Sequence, residues 1–245
     1  MRWLITSAVV LAAWEAAVWL FDIKPFLLPP PTSVISTLVA RADLLAGHAW
    51  ITLVEILAGL AIGFVIGGLS ALLLTAFAPA RRWLLPLLVV SQALPVFALA
   101  PLLVLWFGYG MASKIAMAVL IIYFPVTVAF FDGLKRTEQG WLEMASVMGA
   151  PPMAILWQLR VPAALPALAS GLRVAASVAP IGAIVGEWVG SSAGLGYLML
   201  HANARMQIDL MFASLLILAV MALTLYFTLD AGLRRLTSWQ QESHN

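Results

Sequence analysis

The sequence predicts an all-α membrane protein with six transmembrane helices and both termini in the cytoplasm. Three observations carry this reading: the overall composition, a set of apolar stretches of spanning length, and the placement of Lys and Arg between them. Of 245 residues, 63% are hydrophobic and 10% are charged, and mean hydropathy is +1.02. Soluble domains carry about 25% charged residues, so lipid must solvate much of this surface. A helix needs about 20 mainly apolar residues to cross the hydrocarbon. Residues 3–21, 49–77, 84–107, 115–131, 168–188 and 210–229 meet that need.

The first stretch follows Arg2 and shares this basic flank with signal peptides. Its long apolar run, its Glu15 and the lack of a clear small-x-small cleavage site favour a span. Next comes Leu28-Pro29-Pro30-Pro31-Thr32-Ser33. Proline lacks a donor and clashes with the preceding turn, so this piece is no regular helix. Thr32 or Ser33 is then placed to cap a short outer helix running to about Leu45.

The second stretch carries Gly59, Gly63 and Gly67 at a spacing of four. They stack on one helix face and admit a close neighbour. That face suits packing inside a bundle, and also suits a sliding or dimer surface. The third stretch holds Pro86, Pro95 and Pro101, and the fifth holds Pro180. Each is either a static kink or a broken helix lining a path. Pro95, Pro101, Ser177, Pro180 and Glu187 are therefore candidates for a translocation path or gate. The fifth stretch adds small residues at Gly171, Ala175, Ala179 and Ala183.

Lys and Arg choose the orientation, because cytoplasmic loops carry the excess. One set of segments holds Arg2, Arg81, Arg82, Lys135, Arg136, Arg160, Arg234 and Arg235; the opposite set holds Lys24, Arg41, Lys114 and Arg205. The first set marks the cytoplasm, which places both termini and the 132–167 loop there. No internal repeat or low-complexity linker divides the chain, so 1–245 reads as a single transmembrane domain.

Charges inside apolar runs are Glu15, Glu55, Arg173 and Glu187. Each is costly at the bilayer centre, at least about 2.5 kcal/mol by insertion scales. Arg173 lies close enough to the cytoplasmic end to snorkel. Glu187, beside Trp188 at the end of the fifth stretch, reads either as an outer vestibule or gate residue or as an interface charge in water. Glu15 and Glu55 are expected to pair with polar groups between helices.

The segment 135–166 is too polar and proline-rich to span. Gly149 accepts the left-handed conformation that ends a helix, so a first helix carrying Glu143 and Ala145 is expected to stop there. Pro151 and Pro152 suit the first turn of a second helix. Its Ile155, Leu156 and Leu159 share one face, and Pro162 is expected to stop it. An apolar stripe on this cytoplasmic loop lies on the membrane, packs under its own bundle, or fits a groove of a partner protein.

Glu143-Met144-Ala145, three residues, Gly149, nine residues, then Leu159-Arg160-Val161-Pro162 resembles the signature loop of ABC importer permeases. Leu94-Pro95 through Ala100-Pro101-Leu102, Trp106-Phe107-Gly108, Gly171-Leu172-Arg173, Gly186-Glu187-Trp188 and Gly194-Leu195-Gly196-Tyr197 are similar to segments of the nitrate, sulfonate and taurine group. Where that group often has a basic residue near the second span, this chain has Glu55. The stretch 186–205 looks most like permeases for the thiamine-precursor pyrimidine and related heterocycles.

The resemblance implies the type I ABC importer permease fold in a bacterial plasma (inner) membrane. It implies a second permease copy as homodimer, two copies of an ABC ATPase subunit and an extracytoplasmic substrate-binding protein. Residues 151–160 would form the coupling helix. ATP and Mg would reside on the ATPase, and no cofactor on this chain, which has no phosphate-cradling Gly-rich Lys motif.

Other function classes fit less well. A secondary transporter favours mid-span acids and inverted repeats, and would leave the loop signature unexplained. A membrane enzyme would show a metal cluster or an activated nucleophile. This chain has no cysteine, three scattered histidines and no H-E-x-x-H. The formal charge of +2 gives no footprint for nucleic acid.

Overall fold

The structure, a computed structural model, describes residues 2–237, with side chains described for Ile5, Thr6 and Ala8 onward. The described residues are helical almost throughout: α1 (Arg2–Leu20), α2 (Pro31–Ala40), α3 (Ala42–Ala76), α4 (Ala78–Ala93), α5 (Val96–Phe107), α6 (Met111–Lys135), α7 (Gln139–Val147), α8 (Pro152–Ile155), a π turn (Leu156–Arg160), α9 (Val161–Gly190), α10 (Leu195–Ala204) and α11 (Ile208–Leu236).

α6 is the centre of the bundle. Gly59, Gly63 and Gly67 of α3 lie against Ala118, Ile122, Tyr123 and Val126, and a Cβ on Gly63 would sit 2.6 Å from Ile122. From the other side, Gly171, Gly182 and Gly186 of α9 meet Ala129, Ala118 and Lys114. Lipid tails are as apolar as leucine, so dense backbone approach rather than water exclusion holds such helices together. The glycine face of α3 is thus covered by α6 of the same chain. It is not an open sliding or dimer surface.

Four helical runs are long and apolar enough to span: Ala42–Ala76, Met111–Lys135, Pro152–Gly190 and Ile208–Leu236. The third expected span differs from a simple crossing. It is the pair α4 and α5, bent by 104°. Leu94 and Pro95 are extended at the break, as expected where a proline pushes its predecessor out of the α region. Pro86, Pro101 and Pro180 lie inside continuous helices, so Pro95 alone of these coincides with a break. Ser91 is hydrogen-bonded to Tyr123 and ties α4 to α6.

Pro162 does not stop the second loop helix. Residues Pro152–Gly190 run on as one 39-residue helix. An interior proline collides with the carbonyl four residues back, here Gln158. Gln158 lies in the π turn, where the Val161 N–H donates to Leu156 O, five residues back. This wider register accommodates the ring.

The outer helix also departs from expectation. α2 starts at Pro31 with no side-chain cap of its own and ends at Ala40 rather than near Leu45. Its cap comes from α1: Glu15 accepts hydrogen bonds from the Thr32 N–H (3.1 Å), the Thr32 hydroxyl (2.9 Å) and Trp19 Nε1 (2.9 Å). That explains an acid inside the first apolar stretch.

Candidate functional site

Two regions hold the residues of interest, at opposite ends of the bundle. At the loop end, α7 closes with a double hydrogen-bonded stop. The Ala150 N–H donates to Ala145 O and the Gly149 N–H to Ser146 O, both at 3.0 Å. Gly149 is left-handed with φ +77°, a conformation that a β-branched side chain resists. The turn delivers the chain to Pro151 and Pro152, and α8 begins there.

Leu156 points into the bundle with Ala71, Leu74, Phe131 and Leu134. Ile155 and Leu159 instead line a groove of about 480 Å³ with Trp141, Met144, Met148 and Ala154. The expected single face of Ile155, Leu156 and Leu159 therefore serves two surfaces. Around it stand Met144, Val147 and Met148, at 61%, 89% and 78% exposure. Glu143 is exposed and accepts a hydrogen bond from Gln139 Nε2 (3.2 Å). Soluble proteins rarely leave this much contiguous apolar surface uncovered.

At the opposite end, Glu55 of α3 and Glu187 of α9 are 0% and 1% exposed. Lys114 of α6 reaches Glu55 Oε1 at 3.0 Å. Glu187 accepts hydrogen bonds from Thr52 Oγ1 (2.6 Å) and the Tyr197 N–H (3.3 Å), and also from the Gly196 N–H. The Leu195 N–H donates to Thr52 Oγ1 (2.8 Å), and the Gly194 N–H donates to His48 Nδ1 (2.9 Å). Four consecutive amides at the start of α10 are thus held by side chains from α3 and α9. Gly194, φ +113°, has no space for a Cβ, which would overlap the Glu187 carboxyl.

The profile of the family described as binding-protein-dependent transport system inner membrane component matches residues 43–240. The chain belongs to this family. A probable ABC transporter permease protein of Haemophilus influenzae is 57% identical, covering 95% of each chain. A protein of Halalkalibacterium halodurans named as a formylaminopyrimidine transport permease is 39% identical over 87% of this chain and 86% of its own. The taurine transport permease of Escherichia coli is 31% identical, covering 97% and 89%.

A solved chain of the MetNI methionine ABC transporter in an inward-facing conformation superimposes with TM-score 0.71. At 22% identity over 81% of this chain and 98% of that one, it speaks for the fold alone. The protein is a multi-pass inner-membrane permease component of an ABC importer, and its family is not one of catalytic enzymes.

In this permease the motif residues Glu143, Ala145, Gly149, Pro151, Pro152, Ile155, Leu156, Leu159 and Pro162 all gather at the loop end. The five path candidates lie at the α4–α5 break, on α5 and on α9. Pro95, in the break before α5, and Pro101 on α5 are exposed, Ser177 is exposed on α9 and donates to Val174 O at 2.7 Å, and Pro180 is buried. Glu187 faces neither an open vestibule nor interface water, since it is locked among Thr52, Gly196 and Tyr197.

Arg173 does not simply snorkel: its Nε lies 2.6 Å from Asp230 Oδ1 of α11. Lys114, counted among the outer loop cations, is instead buried against Glu55. Sequence reasoning also missed Thr52 and His48. The available signal was their spacing with Glu55 on one helix face of an apolar span.

Proposed function

We propose that this permease has six spans with both termini in the cytoplasm. It works as a homodimer, each chain a single transmembrane domain over 1–245. It docks two copies of a separate ATPase subunit through α7, the Gly149 turn and residues 151–160. ATP and Mg sit on that subunit, and a substrate-binding protein presents the cargo outside. Moving Lys114 out of the outer loops leaves Lys24, Arg41 and Arg205 there, which strengthens the orientation argument.

The observation that carries this reading is the exposed apolar groove at Met144, Met148, Ile155 and Leu159, continued without a break into one long helix. The helix-in-groove mode of recognition suits α8 with its exposed neighbours. The 39 residues of Pro152–Gly190 measure ~58 Å at 1.5 Å per residue. One rigid element therefore joins the docking surface to Glu187 and the amides that it holds. Movement of the ATPase dimer reaches the outer end as a rigid-body shift, the usual form of alternating access.

The cargo is a thiamine-precursor pyrimidine or related heterocycle. Support comes from the 39% identical relative named for formylaminopyrimidine transport. Uptake in proteoliposomes containing the permease, its ATPase and its binding protein tests both halves. The expected result is ATP-dependent uptake of a pyrimidine over taurine, nitrate and alkanesulfonates. Preference for a sulfonate would overturn the cargo, and uptake without ATP would overturn the mechanism.

A further inference from the structure

The cluster at the outer end contains more acid than base. Glu55 and Glu187 are both fully buried, and Thr52, three residues before Glu55 on α3, donates to Glu187 Oε1 at 2.6 Å, so both acids sit at the α3–α9 contact. The charged and titratable groups around them are few. α3 supplies His48, which accepts from the Gly194 N–H. α6 supplies Lys114, and α10 supplies Tyr197 and His201, whose tilted rings have centroids 3.9 Å apart. α5 has no charged residue. Lys114 is thus the sole cation among the described residues in contact with the acid pair.

Two buried carboxylates facing one ammonium would leave a net negative charge in a dry site. Such an ion costs several kcal/mol, and two carboxylates in contact do not both ionise. The hydrogen bonds show which acid keeps its charge. Glu187 takes three donors, from Thr52, Gly196 and Tyr197, which suits an ionised carboxylate. Glu55 has Lys114 Nζ at 3.0 Å from one oxygen and no hydrogen bond from any other described group. A proton on Glu55 supplies the missing donor between the two acids.

We propose that Glu55 and Glu187 form a buried proton site, in which Glu55 holds one proton and donates it to Glu187 while Lys114 neutralises the pair. The cluster is then Lys114 ammonium, Glu187 carboxylate and Glu55 carboxylic acid, with no net charge. The shared proton completes the clamp that fixes the start of α10. Any movement that separates α3 from α9 at this level admits water and exposes the proton to exchange.

This rests on the geometry of the cluster and stands whether or not the importer reading holds. Infrared spectroscopy of the purified full chain in lipid nanodiscs tests it, with no cargo and no ATP. The expected result is a protonated-carboxyl C=O band at neutral pH that is lost in Glu55→Gln. It is lost as well in Glu187→Gln, where Glu55 remains but faces Lys114 alone and ionises. No such band in the unsubstituted protein, or a band surviving in either variant, overturns the proposal.

Discussion

The two ends of the bundle solve opposite problems. At the loop end, α7 and α8 leave Val147 and Met148 almost fully exposed, and few polar contacts hold them. At the other end, Glu55, Lys114, Thr52 and Glu187 are withdrawn from water and bonded to one another and to α10. The first is an apolar surface that no described part of this chain covers, and it is where we propose that the ATPase docks. The second is complete within one chain.

Substitutions at the closed end carry the largest expected effects. Lys114→Met strands the acid pair without its cation. Breaking a buried pair by removing one partner costs about 3–5 kcal/mol, so the folded permease should be largely lost, as read by size-exclusion yield and thermal unfolding. Wild-type yield and melting would show that Lys114 neutralises nothing. Glu187→Gln is expected to insert normally but lose most uptake, because an amide offers one acceptor oxygen to the donors of Thr52, Gly196 and Tyr197. Unchanged uptake would remove Glu187 from the outer clamp.

At the open end, Gly149→Val should leave insertion and yield intact. The turn would be strained at φ +77°, and the ATPase would hydrolyse without driving transport. The measurement is the ratio of uptake to ATP hydrolysis, expected to fall severalfold. Equal ratios would mean that the turn transmits nothing. The smallest effect is expected from Arg173→Ala. Asp230 keeps Arg234 as a partner at 2.9 Å, so a thermal shift well below that of Lys114→Met is predicted.

The open end was legible in the sequence because its determinants are local. Gly149, Pro151 and Pro152 dictate a helix stop and a helix start within a few residues, and the structure follows them. Pro162 misled, since a proline's effect depends on the register of the turn before it, and no residue announces a π turn. The closed end was hardly legible. Its partners are far apart in the chain, with Thr52 and Glu187 135 residues apart. Lys114 looked like a loop cation, because a lysine just inside a helix start reads the same whether it meets water or a buried acid. The glycines of α3 announced a close neighbour and left its identity, α6, to the fold.

Cross-linking to the ATPase tests the central claim most directly. The chain has no native cysteine, so a single Met148→Cys carries a cross-linker at one defined place. In membranes holding the complete importer, the predicted result is one adduct between residue 148 and the ATPase subunit, with no adduct from Trp19→Cys on α1. A probe at 148 that reacts with lipid alone, in membranes that transport in an ATP-dependent way, would contradict the docking surface proposed here.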